Sequence, residues 1–144
     1  AAVLGNKQLI EYLVQACRTY IYDTAPPPAI TAATLAAVNL IRDDTVYIRR
    51  LGDNIKLFRE LCRDAAIDLG DSNTPIQPLM LGDEMRALRA AEFLREKGLY
   101  LRAVRPPTVP KNTARLRICI SAAHEQQDIE YLVYNLATFL THEQ

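Results

Sequence analysis

Residues 99–121 read LYLRAVRPPTVPKNTARLRICIS, and the fold turns on how this stretch is divided. The run 99–104 and the run 114–121 are rich in strand-forming residues. In the second, Leu116, Ile118 and Ile120 alternate with Arg115, Arg117 and Cys119, the period of a half-buried strand. Between them lies RPPTVP (105–110), which is barred from helix by Pro106, Pro107 and Pro110. A hairpin that only had to reverse the chain would use Asn-Gly or Asp-Gly. This connection is stiffened instead, with Arg105 at its mouth.

Working outward, IQPLMLG (76–82) reads as another strand, and residues 83–98 as an amphipathic helix closed by Lys97-Gly98. Beyond Ser121 a last helix is expected from near His124, burying Ile129, Leu132, Val133, Leu136 and Leu140. The order from residue 76 is thus β-α-β-β-α. Toward the N-terminus the pattern is helical. Asn6 can cap a helix running to about Thr19, with Leu9, Ile10, Leu13, Val14 and Cys17 on one stripe. YIYDTAPPP (20–28) is expected to be extended. Pro28 then opens an alanine-rich helix suited to close packing, and a long amphipathic helix follows Asp43-Asp44. That helix turns Val46, Leu51, Ile55, Phe58, Leu61 and Cys62 inward and ends near Gly70. The class is α/β in the broad sense: an α+β layer, a small, mainly antiparallel sheet with helices on one face.

The 17 basic and 17 acidic residues cancel, so no net field draws the chain to nucleic acid or to an anionic membrane. No apolar run approaches a bilayer span, and none has the form of a signal peptide. Cys17, Cys62 and Cys119 are odd in number and far apart. They read as free thiols in a reducing, cytoplasmic setting, each a small buried hydrophobe among apolar neighbours.

Few residues carry chemistry by pattern. There is no phosphate-cradling glycine loop, no metal-ligand spacing and no nucleophile-base set. His124 is placed to cap or pack, and His142 lies near a helix end. Asp43-Asp44 and Asp83-Glu84 fall at helix starts, where the macrodipole favours carboxylates. Arg115 and Arg117 suit a solvated strand face. Arg105 stands out, because Pro-Pro pre-sets the backbone beside a guanidinium able to hold a carboxylate through two parallel hydrogen bonds. An ordinary surface arginine fits the same residues. Thr108 can add a hydroxyl in that loop. Thr24 can serve as a phosphate ligand or a simple turn hydroxyl.

Taken together, RPPTVP (105–110), ARLRICISAAHEQQDI (114–129), IQPLMLGD (76–83) and YDTAPPPA (22–29) resemble the α-oxoamine synthases, pyridoxal-phosphate enzymes of fold type I. Within that family the match is to its 8-amino-7-oxononanoate synthase branch. RPPTVP separates that branch from 2-amino-3-ketobutyrate CoA ligase, the alternative within the family. A free-standing anion-binding α+β module is the alternative outside it.

The resemblance implies that the chain is the C-terminal third of a longer enzyme. Residues 1–43 would be interface helices leading from a large cofactor domain, and 44–144 the small C-terminal domain. It implies a homodimer that condenses L-alanine with pimeloyl-CoA or a pimeloyl-carrier protein, with loss of carbon dioxide, in biotin synthesis. By the same resemblance Arg105 holds the amino-acid carboxylate and Thr108 contacts substrate. Thr24 reaches the cofactor phosphate of the neighbouring subunit, although Asp23 stands where the family commonly has Ser or Thr. The lysine that binds pyridoxal phosphate would lie upstream of Ala1. Lys7, Lys56, Lys97 and Lys111 do not match it, so no catalytic residue, no bound cofactor and no activity are expected of these 144 residues alone.

Overall fold

The computed structural model describes residues 3–142, which divide into two compact units, the first ending at Asp43 and the second beginning at Asp44.

In the first unit, helix α1 (Lys7–Ala16) begins where the Asn6 side chain accepts the Leu9 amide at 2.9 Å. The helix stops three residues short of the expected end. Cys17 takes an extended backbone (φ −78°, ψ 100°), and its Sγ lies 3.1 Å from the Thr19 hydroxyl. A short helix α2 (Arg18–Ile21) follows, so Tyr20 and Ile21 are helical rather than part of the extended crossing. Their amides both close onto the Cys17 carbonyl, a local turn that the break at Cys17 makes available. Pro28 opens helix α3 (Pro28–Asp43), its missing N–H costing nothing at a first helical position. Within this chain no residue of α1, α2 or α3 is buried.

The second unit holds helix α4 (Val46–Asp64), strand β1 (Ile76–Gly82), helix α5 (Glu84–Glu96), strands β2 (Arg102–Val104) and β3 (Ala114–Cys119), and helix α6 (Gln126–His142). The sheet order is β1-β3-β2, antiparallel throughout, which is the α+β layer expected from the sequence. Alternation decides what is buried. Gln77, Leu79 and Leu81 of β1 face the helices together with Ala114, Leu116 and Ile118 of β3. Pro78 and Met80 share the other face with Arg117 and Arg115. Helix α5 lies against all three strands, and α6 packs on α4 and α5. Phe58, Cys62, Leu94, Leu116, Ile118, Ile129 and Leu136 are the fully enclosed centre.

Several boundaries differ from expectation. The amphipathic pattern after Asp44 outruns its helix, because Ala66 and Gly70 adopt positive φ (55° and 63°) and turn the chain. Val46 at the start of α4 is exposed, one turn beyond the reach of the core. Strand β2 spans three residues rather than six, since only Arg102, Ala103 and Val104 find partners on β3. Leu140 is half-buried and Phe139, its ring tilted 44° against that of Phe93 at 5.7 Å between centres, takes the core position. Cys62 is buried as expected, but Cys119 is exposed because its place in the alternation of β3 puts it on the open face.

Candidate functional site

The proline loop leaves the sheet at Val104 and returns at Ala114. A turn ties each end. The Thr108 amide donates to the Arg105 carbonyl at 3.0 Å, and the Thr113 hydroxyl donates to the Pro110 carbonyl at 2.7 Å. The Pro106–Pro107 peptide is cis, and Asn112 takes φ 61°. The two turn hydrogen bonds hold the backbone around Arg105 and Thr108, whose side chains are both exposed. Among the described residues no carboxylate or carbonyl pairs with the Arg105 guanidinium. An arginine held at a rigid strand end, with all its donors open, suits a planar carboxylate.

Strand β1 ends beside this loop. The register of β1 on β3 shifts between Met80 and Gly82, and Gly82 has φ 76°, a conformation that admits glycine without strain. The bulge delivers Asp83 as the cap of α5, its carboxylate accepting the Arg86 amide at 2.8 Å. A cleft of about 250 Å³ lies between Gly82, Asp83 and Glu84 on one side and Pro106, Lys111 and Asn112 on the other. Sequence reading placed Asp83 and Glu84 at a helix start but missed this cleft. No local pattern signals that a bulged strand end and a loop about 25 residues later adjoin.

Thr24 lies in the first unit, in the extended segment before α3. Asp23 Oδ1 accepts the Thr24 amide at 2.8 Å, so the carboxylate folds back onto the backbone. Among the described residues the Thr24 hydroxyl makes no hydrogen bond of its own. Asp43 is the last residue of α3, paired with Arg42 at 2.8 Å, and only Asp44 serves the next helix by accepting the Val46 amide.

The remaining candidates are structural. His124 Nδ1 accepts the Ser121 amide at 3.2 Å, while the carbonyls of Ser121 and His124 both accept from Asn54 at 2.9 Å. His124 therefore helps shape the turn into α6. Arg115 and Arg117 share the open face of β3; Arg115 is half-buried there, with its Nε on the Thr113 carbonyl at 3.0 Å, and Arg117 is exposed. Among the described residues no group of three His, Cys, Asp or Glu side chains is placed to hold a metal. No helix among them is long and apolar enough to cross a membrane.

Comparison with known proteins gives a consistent picture. Residues 1–136 match the family model of aminotransferase class I and II. The chain is 47% identical over 137 residues to the 8-amino-7-oxononanoate synthase of Pseudomonas putida strain GB-1, covering 95% of this chain and 35% of that protein. With the synthase of Alkalilimnicola ehrlichii it is 48% identical over 140 residues, covering 97% of this chain and 36% of the relative. The crystal structure of the Francisella tularensis synthase superposes with TM-score 0.79 at 28% identity, over 96% of this chain and 40% of that one. Serine palmitoyltransferase from S. paucimobilis, solved with bound PLP, superposes with TM-score 0.86 at 25% identity, over 96% of this chain and 35% of that one. The chain thus spans little more than a third of the length of the curated relatives it matches. On the family model that covers nearly all its residues, this chain belongs to the aminotransferase class I and II family.

Proposed function

We propose that this chain forms the C-terminal part of an 8-amino-7-oxononanoate synthase, a cytoplasmic homodimer that joins L-alanine to a pimeloyl thioester in biotin synthesis. The observation that carries the reading is Arg105, an unpaired guanidinium held at the end of β2 by a loop tied at both ends. In this role Arg105 grips the amino-acid carboxylate through two parallel hydrogen bonds, orienting the α-carbon. Thr108, one turn away and also exposed, offers a hydroxyl to the same substrate. The identity of nearly half to the two synthases supports this branch over glycine-using relatives.

Thr24 fits a phosphate. Its hydroxyl is free to donate, and the neighbouring Asp23 carboxylate is occupied by the Thr24 amide. We assign Thr24 to the cofactor phosphate of a partner subunit. Pyridoxal phosphate, when bound to the whole protein, supplies the electron sink for the charge that develops at the α-carbon. The residues of this chain bind and orient.

The test is product formation by the whole protein with each substrate pair. L-alanine with pimeloyl-CoA or a pimeloyl-carrier protein is expected to yield 8-amino-7-oxononanoate, and glycine with acetyl-CoA to yield nothing comparable. Preference for the second pair would overturn the assignment.

A further inference from the structure

Arg102 and Arg117 stand directly opposite each other in the β2–β3 ladder, and both side chains are exposed. Directly opposed side chains on one sheet face sit with Cβ atoms about 4.5–5.5 Å apart, and like charges so placed repel. A carboxylate neighbour is the usual remedy, yet among the described residues neither guanidinium has an ion-pair partner. Both arginines line a cleft of about 330 Å³ whose floor is apolar, made by Leu99, Leu101 and Leu132. The carboxylate that also lines it, Asp128, accepts the Glu125 amide through Oδ2 at 2.9 Å and pairs with neither arginine, and the Glu125 carboxylate is taken by Arg50 at 2.6 Å. The His124 ring lines the cleft too, and because its Nδ1 accepts the Ser121 amide, its neutral form carries the proton on Nε2 as a donor.

We propose that this cleft binds an organic phosphate, with the phosphoryl group between Arg102 and Arg117 and an apolar body on the floor. Two guanidinium forks offer more donors and more charge than one carboxylate can satisfy, whereas a phosphate monoester carries nearly two charges and three acceptor oxygens. An apolar floor in a cavity of this size leaves most of the space unfilled by a bare phosphate ion. The site stands apart from the carboxylate role proposed for Arg105 and does not depend on it.

The experiment is titration calorimetry of the full chain at low salt with hexyl phosphate, inorganic phosphate and hexanoate. Hexyl phosphate is expected to bind more tightly than either of the others. Arg102→Gln and Arg117→Gln should each weaken it roughly tenfold or more, as for loss of a hydrogen bond to a charged group. Arg63→Gln, an exposed arginine elsewhere on α4, should leave it unchanged. Circular dichroism checks the fold of each variant. Should either Gln variant unfold, amide shift mapping of the unmodified chain with hexyl phosphate decides, with Leu101, Arg117 and Cys119 expected to move. Hexyl phosphate binding no tighter than inorganic phosphate, hexanoate matching it, equal weakening by Arg63→Gln, or shifts confined to other residues would overturn the proposal.

Discussion

Arg59 on α4 donates a hydrogen bond of 3.0 Å to the side-chain oxygen of Gln77, a fully buried residue of β1. The same guanidinium reaches the carbonyls of Ser72 at 2.7 Å and Gly70 at 2.8 Å. Gln77 in turn donates to the carbonyls of Ser72 and Thr74 at 2.9 and 2.6 Å. One arginine therefore staples the turn before β1 to the helix that precedes it. Truncating Arg59 to Ala leaves the buried Gln77 oxygen without a donor, at a cost of about 1–3 kcal/mol. Urea unfolding should show a lower midpoint with an unchanged slope. Because the loss lies in an orphaned acceptor, adding Gln77→Leu to Arg59→Ala should cost much less than the two single changes summed. Simple additivity would count against the staple.

The three thiols should separate by reactivity. Burial in the core pushes the Cys62 thiol up to about 12. Cys119 is exposed, and the Thr19 hydroxyl and the Tyr20 amide hold the Cys17 thiol below its ordinary value. A disulfide reagent at pH 8 should label Cys17 and Cys119 in the native chain and leave Cys62 until unfolding. Native labelling of Cys62 at a comparable rate would contradict its enclosure.

The raised Cys62 value also sets a pH dependence. An unfolded thiol loses its proton near pH 9 while the buried one keeps it to about 12, so the folded state holds more protons in that window. Stability should therefore fall as pH rises from about 9 toward 12 and be unaffected by this group below that range. Replacing Cys62 by Ala should flatten the alkaline slope, at the separate expense of a smaller core side chain.

Arg105→Lys, made in the whole protein, keeps the charge and loses the planar fork. The expected result is a rise in the Michaelis constant for L-alanine of roughly tenfold or more, with the cofactor still bound. An alanine response equal to that of the unmodified enzyme would remove Arg105 from the substrate site.

Thr24→Val removes one hydroxyl donor from the proposed phosphate contact. Cofactor retention by the whole protein should weaken by about 1.5–3 kcal/mol, the scale of a hydrogen bond to a charged group. In mixed dimers with subunits lacking the cofactor-binding lysine, some activity should return, because one hybrid site is then intact. Verified heterodimers without activity would argue against a shared site.

The alternation of Leu116, Ile118 and Ile120 against Arg115, Arg117 and Cys119 identifies a strand with one buried face from the sequence alone. The order of helices and strands after Asp44 and the rigid loop around Arg105 were legible for the same reason: period, proline and caps act over a few neighbours. Tertiary structure decided what depends on distant partners. Strand β2 is three residues long because only Arg102, Ala103 and Val104 come into register with β3. Gln77, a polar residue in an apolar run, is buried because Arg59, 18 residues earlier, reaches it. The opposition of Arg102 and Arg117 exists only through the antiparallel register, which pairs residues 15 positions apart. Local periodicity fixes which face a side chain occupies; only the packed chain determines what stands across from it.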